Sequence, residues 1–192
     1  MGAATARANM VLVRHGETSA NLQFIVQGQT DYPLNANGLR QAQDVAEKLR
    51  DAPIDEAFSS PLSRAWVTAE KIMKFHGGVT LKPADALKEM HAGRYEGNEY
   101  KSKAEVYEFG MLRAREAGGE TLEGFQRRVY DFVRQAVVDN DGRTILVVSH
   151  GGTTMALLNA LGGNPAPEML KIDPPANTEV LAIEFVVPLI RR

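Results

Sequence analysis

Thr144-Ile145-Leu146-Val147-Val148-Ser149-His150-Gly151-Gly152 is the most legible stretch of the chain. Its unbroken run of β-branched and aliphatic residues, too short for a helix, reads as a strand buried on both faces. The Ser-His-Gly-Gly turn leads into a segment with Met155, Leu157, Leu158 and Leu161, which reads as a helix. The pattern recurs near the start, where residues 10–13 form a short apolar strand followed at once by Arg14 and His15. Two strands distant in sequence thus end on histidine.

Between them, residues 38–50 place Leu39, Ala42, Val45, Ala46 and Leu49 at helical spacing. Residues 57–59 read as another strand. Ser60 and Pro61 fit the cap and first position of a helix whose apolar face includes Leu62, Ala65, Ala69 and Ile72, which puts Arg64 in its first turn. Residues 79–82 and 86–88 are candidate extended segments, with Glu89 at a strand end. Thr121 caps a helix running to about Asp139, because Phe125, Val129, Phe132, Val133, Ala136 and Val137 form one stripe. Residues 179–187 give a final strand. Residues 97–119 carry no clear period and read as a short, lid-like insertion.

Strands alternating with amphipathic helices imply an α/β fold, a three-layer α/β/α sandwich around a mostly parallel sheet. The 192 residues suffice for one domain, taken as 10–192, behind an Ala-rich tail over 1–9 that is expected to be frayed. Gly2 suits an acylation signal, but Ala6 stands where Ser or Thr is needed. Charged residues at 24%, a net charge of −2 and a pI near 6.1 give no global pull toward nucleic acid or anionic membrane. The absence of Cys excludes disulfides and thiolate chemistry, and cytoplasm is the expected location. No HExxH spacing or Asp cluster suggests a metal, and no P-loop or dinucleotide pattern suggests ATP or NAD, so neither metal nor cofactor is expected.

In α/β sheets ligands gather beyond the carboxyl ends of strands, where Arg14, His15 and His150 fall. Their chemistry suits a phosphate ester. Arg14 and Arg64 can grip phosphate oxygens, His150 and the Gly151 amide can add donors, and a neutral His15 offers a nucleophilic lone pair. Glu89 can then protonate the departing alkoxide. His76 suits a capping role and His91 a surface one, while Lys101, Lys103, Arg113 and Arg115 read as a solvated face.

Leu12-Val13-Arg14-His15-Gly16-Glu17-Thr18 resembles the signature of the histidine phosphatase superfamily, also called phosphoglycerate mutase-like. Asn21, Gln27-Gly28, Asp31, Leu34-Asn35 and Gly38 resemble it in the same order, as does Ser59-Ser60-Pro61-Leu62-Ser63-Arg64-Ala65. Leu87-Lys88-Glu89 with Gly93 and Glu96-Gly97, then Gly119-Glu120, and finally Ser149-His150-Gly151-Gly152 extend the likeness over roughly residues 10 to 187. The resemblance implies a phosphoglycerate mutase-like fold and a phosphohistidine at His15. It also implies a phosphate pocket of Arg14, Arg64 and His150, acid–base work by Glu89, a phosphate contact from Asn21, and Gln27 and Gly28 near the substrate. Two positions depart from the pattern: Ile25 replaces a common Arg, and Tyr95 replaces a common Trp. The 97–119 segment is short beside the insertion of true mutases. The expected function is therefore hydrolysis of a small phosphorylated metabolite. A mutase and a non-catalytic phospho-ligand module are the alternatives, and a homodimer is the default assembly.

Overall fold

The computed structural model describes residues 4–189. Five strands form one sheet: β1 (Thr5–Arg14), β2 (Glu56–Ser59), β3 (Leu81–Pro83), β4 (Thr144–Ser149) and β5 (Val180–Pro188), in the order β3-β2-β4-β1-β5. The first four run parallel, and β5 pairs antiparallel with β1 along the edge. The mixed α/β fold with a mostly parallel sheet is as the sequence implies.

Side-chain alternation along β1 and β4 builds the layers. Met10, Leu12, Ile145 and Val147 face a core shared with α5 (Leu122–Asp139) and α6 (Gly151–Leu161). Val13, Leu146 and Val148 face the opposite core, with α2 (Ala36–Lys48) and α3 (Ser63–Met73). A strand lined on both faces by helices must be apolar throughout, and this is why β4 reads so plainly.

Several expectations need correcting. β1 begins at Thr5, and Ala6 and Ala8 are buried against Phe185 and Val187 of β5, so residues 5–9 are not a frayed tail. Gly2 lies outside the described residues. Helix α3 starts at Ser63 with Leu62 at its N-cap and no side-chain cap; the Ser60 hydroxyl accepts from Leu62 N–H at 3.3 Å and lies 2.8 Å from His150 Nε2. Residues 86–88 do not form a strand: Asp85–Leu87 is a 3-10 turn, so Glu89 leaves a turn and is held by other means. Leu39 is 45% exposed, off the buried face of α2.

The segment over 97–119 folds as α4 (Lys103–Tyr107), a π turn (Glu108–Leu112) and a 3-10 turn (Ala114–Ala117). Its lack of a single helical period explains its illegibility in the sequence. A short α1 (Ser19–Leu22) follows β1, closed by a reciprocal capping box between Thr18 and Asn21. Among the described residues no helix is long and apolar enough to cross a membrane.

Phe125 is fully buried between α5 and the sheet. Its replacement by Ala should cost about 3–5 kcal/mol of folding free energy in urea denaturation. A loss below about 1 kcal/mol would contradict this packing.

Candidate active site

The carboxyl ends of the three adjacent strands β2, β4 and β1 lie together. Arg14 pairs in register with Ser149, His15 N–H donates to the Ser149 carbonyl at 3.0 Å, and Ser60 N–H donates to the Val148 carbonyl at 3.0 Å. The His15 and His150 rings consequently meet edge to face, with centroids 5.2 Å apart.

His15 has one ring nitrogen fixed. Nδ1 lies 2.7 Å from the Gly16 carbonyl, which can only accept, so Nδ1 carries the proton and Nε2 keeps a free lone pair. Burial, together with the Arg64 and Arg14 charges, pushes the His15 pKa well below the ordinary value. The ring is neutral and held in one tautomer, with a lone pair free on Nε2.

Arg64 is 1% exposed and held on three sides: Nη2 donates to the Gly28 carbonyl at 2.8 Å, Nη1 to Thr30 at 3.0 Å, and Nε to His150 Nδ1 at 3.2 Å. Burial lowers its pKa only to about 10, so it remains charged at neutral pH. One N–H on each terminal nitrogen stays free for a ligand. Arg14 donates from Nη1 to the Pro175 carbonyl at 2.7 Å, but its buried Nε has no protein acceptor. Buried donors are rarely left without a partner, and an anionic oxygen would satisfy this one.

His150 packs against His15 and is bonded to Arg64. Because Nδ1 accepts from Arg64, Nε2 carries the proton, and it lies 2.8 Å from the Ser60 hydroxyl. Both nitrogens are thus engaged within the protein, and the ring is fully buried. Burial and the neighbouring Arg64 charge keep its pKa well below the ordinary value. Gly151 lies beside the Arg14 guanidinium and the Tyr107 hydroxyl.

Glu89 sits at the N-terminus of α6. Its Oε2 accepts from Gly152 N–H at 2.9 Å and its Oε1 from Met90 N–H at 3.0 Å, which leaves each oxygen a further lone pair. A Cβ at residue 152 would lie 2.5 Å from Glu89 Oε1, so only glycine allows this approach. Arg128 of α5 steadies the segment: it makes a two-pronged bond to Glu120 at 2.8 and 2.9 Å and donates to the carbonyls of Ala86 and Lys88. Sequence reasoning missed Arg128, although Glu120 was within the recognised pattern.

Arg14, His15, Arg64 and Glu89 share one cavity of about 290 Å³ with Asn21, Gln27 and Gly28. Asn21 Oδ1 accepts from the Thr18 amide, and Gln27 Oε1 lies 3.0 Å from the Thr18 hydroxyl, so the NH₂ groups of both remain available as donors. Gly28 has φ +50°, and a Cβ there would meet the Glu96 carboxylate. Tyr107 and Asn177 also line the cavity and were not anticipated. Asn177 donates to the His15 carbonyl at 2.9 Å. Burial pushes the Tyr107 hydroxyl up to about 12, which keeps it a donor at neutral pH.

Elsewhere, His76 Nε2 lies 3.1 Å from the Leu49 carbonyl, and His91 faces Glu96 at 3.8 Å. Arg113 pairs with Glu116 and Glu108, while Lys103 borders the cavity.

The family model for the histidine phosphatase superfamily (branch 1) matches residues 10–186. The chain belongs to this superfamily. It is 36% identical over 175 residues to an uncharacterized phosphatase, PhoE, of Bacillus subtilis (strain 168), covering 91% of this chain and 86% of the relative. It is 34% identical over 182 residues to phosphoglycerate mutase-like protein 4 of Arabidopsis thaliana, covering 90% and 77%. Among solved structures, a mycobacterial glucosyl-3-phosphoglycerate phosphatase complexed with VO3 superposes with a TM-score of 0.78 at 27% identity, covering 91% and 90%. Phosphatases and phosphoglycerate mutase-like proteins of the superfamily thus both resemble this chain.

In this superfamily member the two buried histidines link folding to pH. They resist protonation when folded but take up protons near pH 6.5 when unfolded, so the unfolded state binds more protons as pH falls. Stability is therefore complete above that value and declines below it, by about 1.4 kcal/mol per pH unit for each histidine. Urea unfolding between pH 7.5 and 5 should reveal this decline, and stability that rose on acidification would refute neutral native imidazoles.

Proposed function

We propose that this protein hydrolyses small phosphomonoesters through a phosphohistidine formed at His15. The observation that carries this reading is the unprotonated Nε2 of His15, set in a cavity with Arg14 and Arg64, where a buried Arg14 Nε lacks any protein partner. A neutral imidazole among fixed cations is suited to attack on a bound phosphoryl group. The likeness to proteins named as phosphatases supports the same reading.

The phosphate is held by the free N–H groups of Arg14 and Arg64 and by the Asn21 and Gln27 amides. Gly28 and His150 act at one remove: the Gly28 carbonyl and His150 Nδ1 orient the Arg64 fork. Nε2 attacks phosphorus in line with the ester oxygen, the P–N bond forms as the P–O bond breaks, and protonated Glu89 gives its proton to the departing alkoxide. The resulting carboxylate takes a proton from water, whose oxygen displaces the imidazole. Inorganic phosphate leaves, and His15 and Glu89 return to their starting forms. The cations neutralise the phosphoryl charge, so this cycle draws on no metal or cofactor.

Acid-labile radioactive phosphate should appear on His15 when turnover of a labelled ester is quenched, and His15→Ala should lower kcat by at least about a thousandfold. Near-normal hydrolysis by that variant would eliminate the mechanism. The likeness to a phosphoglycerate mutase-like protein favours transfer to a second hydroxyl as the competing outcome. Conversion of 3-phosphoglycerate to 2-phosphoglycerate without release of phosphate would select it over hydrolysis.

A further inference from the structure

Packing imposes a glycine immediately after His15. A Cβ on Gly16 would lie 2.5 Å from the Gly38 carbonyl oxygen, and one on Gly38 would strike the Glu17 carbonyl, so the turn after β1 meets the first turn of α2 through bare backbone. Without a Cβ the chain rotates easily at residue 16, and the Gly16–Glu17 peptide needs a hold from outside. Its orientation matters, because its carbonyl is the group that fixes His15 Nδ1.

The preceding peptide is pinned at both ends. The His15 carbonyl accepts from Asn177 Nδ2 at 2.9 Å, and Gly16 N–H donates to the Thr68 hydroxyl at 3.1 Å. The Gly16–Glu17 peptide, apart from the imidazole itself, is held through its N–H, which donates to Gln41 Oε1 at 2.8 Å. Gln41 stands three positions after Gly38 and so shares the face of α2 that meets this turn. A peptide whose N–H is bonded is also a better acceptor at its carbonyl, because aligned hydrogen bonds polarise one another. Gln41, the Gly16–Glu17 peptide and His15 Nδ1 thus form one chain that ends on the ring.

Resting on the hydrolase reading above, we propose that Gln41 is a positioning residue for His15, holding the Gly16 carbonyl against Nδ1 so that the Nε2 lone pair stays free for phosphorus. It transfers no proton and acts through that backbone alone.

Two readouts on the full chain test this assignment. Nitrogen NMR of isotope-labelled histidine, with the His15 signals identified from His15→Ala, should show a protonated Nδ1 and a bare Nε2 near neutral pH. Gln41→Leu, which removes the acceptor, should shift that ring toward a mixture of tautomers. It should also lower kcat/KM for p-nitrophenyl phosphate by about ten- to a hundredfold, while inhibition by inorganic phosphate changes less than about twofold. The nitrophenolate departs with little help from an acid, so this rate reports on attack by Nε2. Gln41→Glu keeps an acceptor oxygen and should recover most of the loss. An unchanged ring signal or rate in Gln41→Leu, no recovery in Gln41→Glu, or a slower rate matched by weaker phosphate inhibition would overturn the assignment while leaving hydrolysis standing. If Gln41→Leu does not fold, the wild-type ring decides, and a proton on Nε2 would overturn the assignment. Absence of nitrophenolate release from the wild type would remove the hydrolase reading, with the hold on the ring then decided by the NMR signals alone.

Discussion

The parallel pairing of β1 with β4 is the constraint on which the site depends. Its register sets Arg14 beside Ser149, so that two chain segments separated by more than a hundred residues stop at one level and deliver His15 and His150 to one place. A register shift of one residue would turn the apolar side chains of β1 toward the wrong layer and rotate Arg14 away. Packing on both faces of the sheet thus enforces the alignment that the chemistry needs.

That placement concentrates positive charge where water is scarce. Two arginines and two histidines lie close together, and the protein manages the repulsion by keeping the imidazoles neutral and leaning the guanidiniums on carbonyls. The same solution serves reactivity, since an uncharged His15 is the form with a lone pair to offer. Loss of stability at low pH and an available lone pair at neutral pH are therefore two consequences of the same desolvation.

The sequence made the sheet core legible because residues such as Ile145 and Val148 must be apolar on both faces, and because Phe125 and Val129 repeat at helical spacing. The strand-end residues Arg14, His15 and His150 were legible for the same reason, standing where apolar runs stop. What could not be read depends on tertiary contacts. Glu89 is placed by the Gly152 amide and by Arg128 rather than by a strand, and Tyr107 comes from a segment whose π turn breaks any simple period. The engagement of both His150 nitrogens depends on Ser60 and Arg64, which meet it only after folding.

The Glu96 carboxylate binds the backbone amides of Gln29, Thr30 and Ala92, and thereby anchors the loop whose carbonyls at Gly28 and Thr30 hold Arg64. This buttress begins just after the stretch formed by Phe24, Ile25 and Val26. The half-exposed Phe24 side chain can therefore be exchanged while the Gly28 and Thr30 carbonyls keep their hold on Arg64. A loop anchored this way lets a neighbouring residue change by itself, because the geometry around Arg64 rests on main-chain groups and one carboxylate.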